Sequence, residues 1–338
     1  MKRPTIADIA RRAGVTKSTV SFALNDRPGV SDATRARILA IAREMGWQPS
    51  RTARALSGGR AGVLGLVVDR PARTLGVEPF YMQLISGIEA ELSSRDIALL
   101  LQVTDDARAQ EATYRRWWAE RRVDGVFVVD LRVDDERTKV LTELGMPAVV
   151  VGGPHGLGGL PGVWNDEVAP VRSVMEYLVA LGHRRIARVA GLPGLWHTVM
   201  RDEEFERAAR ELGVTPSGGT ADYTGDAAAR VTRRLLASSA PPTAIVYDND
   251  VMAVAGLGVA AEMNIRVPDR LSIVAWDDSA LCRLVHPPLT AVGLDIAAYG
   301  AEVARCLADL AAGRPVTSAC HATAVLSPRG STGPVQLT

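Results

Sequence analysis

This 338-residue chain is poor in the side chains that most often carry chemistry, with three cysteines and five histidines. Cys282, Cys306 and Cys320 are too few and too scattered for a disulfide framework or a zinc site. The histidines show no metal-ligand spacing, so neither a metal nor a cofactor is expected. Three catalytic signatures are missing: Gly-x-x-x-x-Gly-Lys-Ser/Thr, His-Glu-x-x-His and Gly-x-Ser-x-Gly. The expectation is a protein that is not an enzyme. No apolar run approaches the ~18 residues of a membrane span, and no export signal precedes the first polar segment. A reduced, cytoplasmic setting without membrane contact is expected.

What is present begins at Thr5. Ile6, Ile9, Ala10 and Ala13 recur at helical spacing, which gives one apolar face. Gly14 can take the positive φ of a sharp helix exit, and Val15 can plug the turn. Thr16 suits the N-cap of a second helix, its hydroxyl accepting a free backbone N–H. That helix turns Lys17, Ser18, Ser21 and Phe22 outward and keeps Val20, Ala23 and Leu24 for the core. A third helix follows, capped by Ser31 and ended near Gly46, with Ile38, Leu39, Ile41, Ala42 and Met45 inward. In a helix-turn-helix, the start of the second helix reaches base edges in the major groove.

Charge agrees with that reading. Residues 1–60 hold twelve Lys or Arg against four acids, a formal charge of +8. The whole chain is +1, so the other 278 residues carry −7. A basic head on an acidic body is the distribution that displaces counterions from phosphates.

Thr5 to Asn25, then Gly29-Val30-Ser31 and Gln48-Pro49-Ser50-Arg51-Thr52-Ala53-Arg54-Ala55-Leu56, closely resembles the headpiece of the LacI family of bacterial transcriptional regulators. The resemblance implies that Lys17, Ser18 and Phe22 read bases. It implies backbone contacts for Thr5, Thr19, Ser21 and Asn25, and adds Thr16, Val30, Ser50, Arg51, Ala53 and Arg54 to the DNA-binding set. Phe22 departs from the polar or basic residue usual there; a phenyl ring can touch a thymine methyl but cannot hydrogen-bond a base. Residues 50–57 are too short for a stable isolated helix. The resemblance implies a hinge helix that orders on DNA beside its twin, with Leu56 wedged into the minor groove. The partners it implies are a near-palindromic double-stranded operator, a second copy of the chain and a small-molecule effector.

From Ala61 onward the pattern changes. Short apolar runs at Val63–Val68, Ile97–Val103, Gly125–Val129 and Ala148–Gly152 alternate with helical periods. They restart at Arg185–Gly191, Thr243–Asn249 and Leu271–Trp276. Strands buried on both faces and separated by helices make a parallel doubly wound sheet. The fold class expected is α/β: an all-α helix-turn-helix headpiece plus two doubly wound parallel-sheet subdomains, which the resemblance makes periplasmic-binding-protein-like. The expected divisions are a headpiece at 1–48, a hinge helix and linker at 49–60, and an N-terminal subdomain at 61–163 with 293–326. A C-terminal subdomain at 164–292 and a flexible tail at 327–338 complete the chain. The tail's Pro328, Gly330, Gly333 and Pro334 favour a dimer over a tetramer joined by a terminal helix.

Ligands of such sheets bind beyond the carboxyl ends of the strands. Asn249, Asp250, Asp277 and Asp278 follow strands there, and Asp166 stands at the crossover. Carboxylates accept from paired hydroxyls, and aromatic faces cover a sugar's apolar side. The resemblance implies effector contacts at Asp166, Arg201, Asn249, Asp250 and Asp277, with aromatic walls at Phe80, Tyr81, Tyr223 and Trp276. Trp196 and His197 are further candidates. Two departures stand out. Glu204 replaces the usual glycine three positions after Arg201 and, with Asp202 and Glu203, adds negative charge nearby. Leu294 replaces a polar contact. A sugar-responsive repressor is the reading that follows. A solute-binding protein or sugar enzyme on the same scaffold, and a regulator answering a nucleoside or sugar phosphate, are its alternatives.

Overall fold

The computed structural model describes residues 4–47, 60–70 and 75–336. The chain divides into two compact units, residues 1–61 and 62–338.

In the first unit, α1 (Ile6–Ala13), α2 (Lys17–Leu24) and α3 (Asp32–Glu44) enclose Ile9, Val20, Ala23, Ile38 and Ala42. Gly14 ends α1 at φ 65°, and the Thr16 hydroxyl accepts from the Thr19 N–H at 3.2 Å to start α2. Ile41 and Met45 pack against this core, but Leu39 does not and is 39% exposed. Its place on α3 puts it on the solvent side, where a leucine needs no partner.

The second unit holds two six-stranded sheets. The first is built from β1 (Val63–Val68), β2 (Ala98–Val103), β3 (Gly125–Val128), β4 (Ala148–Val151), β5 (Gly162–Asp166) and β11 (Ala319–Thr323), in the order β11-β5-β4-β3-β1-β2. All its pairs are parallel. The second contains β6 (Arg185–Ala190), β7 (Thr215–Thr220), β8 (Ala244–Tyr247), β9 (Ser272–Trp276), β10 (Thr290–Gly293) and β12 (Val325–Ser327), in the order β12-β10-β9-β8-β6-β7. Its one antiparallel pair is β10 with β12. The chain crosses between sheets after β5, after β10 and again between β11 and β12. The last two strands, β11 and β12, are short and lie one in each sheet.

Helices cover both faces, as parallel strands require. Helices α4 (Pro79–Ser94), α5 (Ala107–Ala119), α6 (Glu136–Leu144) and α12 (Ile296–Ala311) flank the first sheet. Trp117 is fully buried while its neighbour Trp118 is only partly so, since consecutive helical residues cannot face one way. Helices α4 and α12 meet backbone to backbone: a Cβ on Gly87 would fall 1.9 Å from the Ala297 carbonyl oxygen. Helices α7 (Ala169–Ala180), α8 (Trp196–Leu212), α9 (Gly225–Leu236), α10 (Asp250–Glu262) and α11 (Ala280–Leu284) belong to the second sheet.

Residues 327–336 of the expected flexible tail are instead docked on the second sheet. Ser331 is fully buried; its hydroxyl donates to Ile273 O at 2.6 Å and accepts from Thr290 N at 2.8 Å. Gly333 N donates to Ser272 Oγ at 3.1 Å, and Val335 N reaches Leu181 O at 2.9 Å. Arg329 bonds Asp278 at 2.5 Å. His183 completes the clasp through Thr243, Ser272 and the Gly333 carbonyl, a structural role. Proline and glycine here set a path along the sheet rather than freedom from it.

Candidate nucleic-acid interface and ligand cavity

The start of α2 presents Lys17 and Ser18 to solvent, and Phe22 stands 39% exposed one turn on. Other members of the expected DNA set are tied into the headpiece. Thr5 donates through both its N–H and its hydroxyl to the Asp8 carboxylate, at 2.9 and 2.6 Å. Thr16 and Thr19 share a hydroxyl pair at 2.9 Å. The Asn25 amide donates to the Ser21 carbonyl at 2.8 Å. Val30 is half-buried against the headpiece core. Ser50, Arg51, Ala53, Arg54 and Leu56 lie outside the described residues, and the hinge helix with them.

In the second unit a cavity of about 110 Å³ opens where the carboxyl ends of both sheets converge. Three of its lining residues follow strands in left-handed backbone: Asp130 at φ 51°, Tyr223 at φ 65° and Asp277 at φ 63°. Non-glycine residues held there carry strain, which the packed strand ends sustain and which is typical of ligand sites. The two halves touch across the cavity. Val133 N donates to Gly194 O at 2.8 Å and Trp196 N to Leu131 O at 2.9 Å, around an antiparallel bridge of Arg132 with Leu195. The Arg70 guanidinium sits 4.6 Å from the Tyr223 ring centroid.

Of the eleven expected effector residues, Phe80, Tyr81, Trp196, His197, Arg201, Tyr223 and Asp277 line the cavity. The other four do not. Asp166 accepts from Val168 N and Ala169 N at 2.9 and 3.1 Å, capping the chain's entry into α7. Its neighbours Asn165 and Glu167 face the cavity instead. Asn249 caps α10 by accepting from Met252 N at 2.8 Å. Asp250 is 1% exposed, and one of its oxygens accepts from Val251 N at 2.7 Å. Trp276 is a core residue whose ring lies 4.3 Å below the Arg201 guanidinium, so it supports that side chain from behind.

The cavity is charged. Arg70 is paired with Asp130 at 2.9 and 3.2 Å, and Asp130 also accepts from the Tyr81 hydroxyl at 2.5 Å. Burial opposes the Asp130 charge, but Arg70 outweighs it and holds the carboxyl at about 2. Arg201 is paired with Glu167 at 2.6 Å. Asp248 receives Arg188 at 2.8 and 2.7 Å. His197 bonds the Tyr223 hydroxyl at 2.7 Å; burial, then the charge of Arg201, lowers it to about 4, so the ring is neutral at pH 7. Glu204 is not charge added beside Arg201: it is buried, 2.9 Å from Arg172, and also paired with Arg207. Asp202 pairs with Arg188. Leu294 packs on the first core rather than lining the cavity.

Arg70, Glu78, Asp130 and Glu167 escaped the sequence reading, although two carried a usable signal. Arg70 and Asp130 follow β1 and β3, the same strand-end position that singled out Asp277. Glu78, the residue before Pro79 at the start of α4, carried none.

Residues 5–50 match the family described as bacterial regulatory proteins, lacI family, and residues 175–332 match the periplasmic binding protein-like domain. The chain is 32% identical to the HTH-type transcriptional regulator CelR of Thermobifida fusca, over 91% of this chain and 92% of CelR. It belongs to the LacI family. It is a helix-turn-helix, DNA-binding transcriptional regulator. Among solved structures, a LacI family regulator from Bifidobacterium animalis subsp. lactis DSM 10140 superposes with a TM-score of 0.76 at 34% identity. That match covers 82% of this chain and 100% of the other. A structure described as a CelR–cellobiose complex superposes with a TM-score of 0.74 at 30% identity, covering 97% and 100%. Among the described residues of this LacI-family chain, no helix is long and apolar enough to cross a membrane, and no cluster of three or more His, Cys, Asp or Glu could hold a metal ion.

Proposed function

We propose that the protein is a dimeric, cytoplasmic repressor of a carbohydrate-uptake or catabolism operon, released from its operator by a sugar, and that it catalyses no reaction. The observation that carries this is the cavity at the strand ends. It combines hydroxyl-binding carboxylates with aromatic walls at Phe80, Tyr81, Trp196 and Tyr223, in a chain whose relative CelR is described in complex with cellobiose.

Two headpieces of the dimer enter successive major grooves of a near-palindromic operator. Lys17, Ser18 and Phe22 read bases, while Thr5, Thr19, Ser21 and Asn25 hold the backbone. Residues 50–57 pair as hinge helices, insert Leu56 at the operator centre and place Arg51 and Arg54 near phosphates. Effector contacts come from the seven expected residues that line the cavity; Asp166, Asn249, Asp250 and Trp276 position them. A sugar lowers operator affinity only as far as it prefers the arrangement that binds DNA poorly.

Electrophoretic mobility shift with genomic fragments, with and without a sugar panel, tests this. Specific retardation that weakens with salt and is relieved by a sugar supports it. Absence of specific retardation refutes the DNA reading, and retardation indifferent to every sugar refutes the effector reading.

A further inference from the structure

The inference rests on reading the cavity as the effector site and concerns what the ligand can carry. Both cavity guanidiniums are already neutralised, Arg70 by Asp130 and Arg201 by Glu167. Two lining carboxyls, Glu78 and Asp277, have no ion-pair partner among the described residues. Glu78 is 5% exposed, and its Oε2 has no hydrogen-bond partner among those residues. Three more buried atoms of lining residues are in the same condition, Arg70 Nη1, Asn165 Oδ1 and Trp196 Nε1. A buried polar atom without a partner is costly, so each is a place for a ligand group.

The set asks for both donors and acceptors. Glu78 Oε2 and Asn165 Oδ1 accept, while Arg70 Nη1 and Trp196 Nε1 donate. A sugar hydroxyl can do either, donating through O–H and accepting through oxygen. A phosphate dianion brings acceptors only, and beside Glu78 it must either meet that carboxyl's charge or hold it protonated, a cost that grows as pH rises. Burial, then the charge of Asp130, pushes Glu78 up to about 7 against the pull of Arg70, and burial with Asp250 pushes Asp277 up as well.

We propose that Glu78 sets the charge selectivity of the cavity, admitting an uncharged hydroxyl-rich ligand and rejecting its phosphorylated counterpart. Glu78 stands at the N-cap of α4 beside Arg70, facing strand-end residues of the second sheet such as Asn249. It accepts a ligand hydroxyl there. The free Arg70 N–H is a donor for a ligand oxygen and not a spare positive charge. The cavity thus discriminates among sugars by net charge before it discriminates by shape.

Trp164 and Trp196 line the cavity, so tryptophan fluorescence reports binding to the full chain. The probes are glucose, galactose and cellobiose, each with its 6-phosphate, at pH 8, above the Glu78 value of about 7. At least one neutral sugar is expected to bind, with its 6-phosphate weaker by 30-fold or more. Glu78→Gln should shrink that gap below tenfold, and Glu78→Lys should abolish or invert it. The glutamine variant is nearly isosteric, and the ratio within each variant corrects for any general loss of affinity. A 6-phosphate that binds the wild type as tightly as its neutral sugar overturns the proposal, as does a gap unchanged in Glu78→Gln. If operator retardation is relieved by a phosphosugar, the repressor reading stands and only the charge selectivity falls. If no probe of either kind binds, the sugar reading falls with it.

Discussion

The Arg70 guanidinium lies over the Tyr223 ring at 4.6 Å from its centroid, joining the end of β1 to the end of β7 across the cavity. The ring is fixed from its far end by hydrogen bonds of its hydroxyl with His197 and Thr198, at 2.7 and 3.3 Å. A desolvated cation–π contact is worth up to ~2 kcal/mol. Tyr223→Leu should therefore weaken sugar binding by roughly 3- to 30-fold. Tyr223→Phe keeps the ring and should lose about threefold or less, the worth of a modest hydrogen bond. Isothermal titration of both variants distinguishes them; equal losses would mean that the hydroxyl, not the ring, holds the two halves together.

Glu78 also makes stability depend on pH. Its carboxyl is raised from 4.5 to about 7 in the folded chain, where Arg70, Asp130, Asn249 and Asp250 surround it. Between those values the native state keeps a proton that the unfolded chain has released. Stability therefore falls as pH rises through this window and levels off above it. His197 runs the other way, because its folded value of about 4 lies below 6.5 and stability rises with pH between them. Comparing wild type with Glu78→Gln isolates the first effect. The two should melt alike near pH 4.5, and the glutamine variant should be more stable at pH 8 by roughly 1–3 kcal/mol. Melting curves that stay parallel across this range would remove the buried charge from the account.

Much of this architecture was legible in residues 63–103 and 185–276, because strands buried on both faces read as unbroken apolar runs. Val63–Val68 emerges with the same bounds in the structure. The headpiece was equally open, since Gly14 and Thr16 each have one conformational use there. The cavity was only half legible. Asp277 and Asp130 occupy equivalent strand ends, one in each sheet, and both line the cavity. Asp166 and Asn249 carry the right chemistry, but backbone N–H groups claim them as caps, and sequence cannot show which demand wins. The tail misled for a related reason. Pro328 and Gly330 look like disorder until Ser331 is seen filling a donor and an acceptor of the second sheet.

The tail clasp predicts a stability defect far from the cavity. Ser331→Ala removes the acceptor of Thr290 N–H and the donor to Ile273 O, both fully buried. An orphaned buried N–H costs ~1–3 kcal/mol. For a unit of this size that is a fall of roughly 2–4 °C in melting midpoint per kcal/mol. A chain ending at Pro328 should lose more, because it also forfeits the Gly333 and Val335 contacts. Scanning calorimetry checks both, and an unchanged midpoint in the truncated chain would return the tail to the flexible segment that its composition suggests.

Phe22 makes the sharpest claim about DNA. Its ring is 39% exposed on α2, one turn after Lys17 and Ser18, the residues proposed to read bases. It has no group to hydrogen-bond a base, so its contribution to sequence reading must be apolar, and the thymine methyl is the apolar feature of the major groove. Covering the exposed part of a phenyl ring yields at most ~1–2 kcal/mol, or roughly 5- to 30-fold in affinity. Phe22→Ala should lose that much on the specific operator and almost nothing on random DNA, where phosphate contacts dominate. Replacing thymine with uracil position by position should find a site where the wild type weakens and Phe22→Ala is indifferent. If no such position exists in a retarded operator, Phe22 supports the headpiece and does not read sequence.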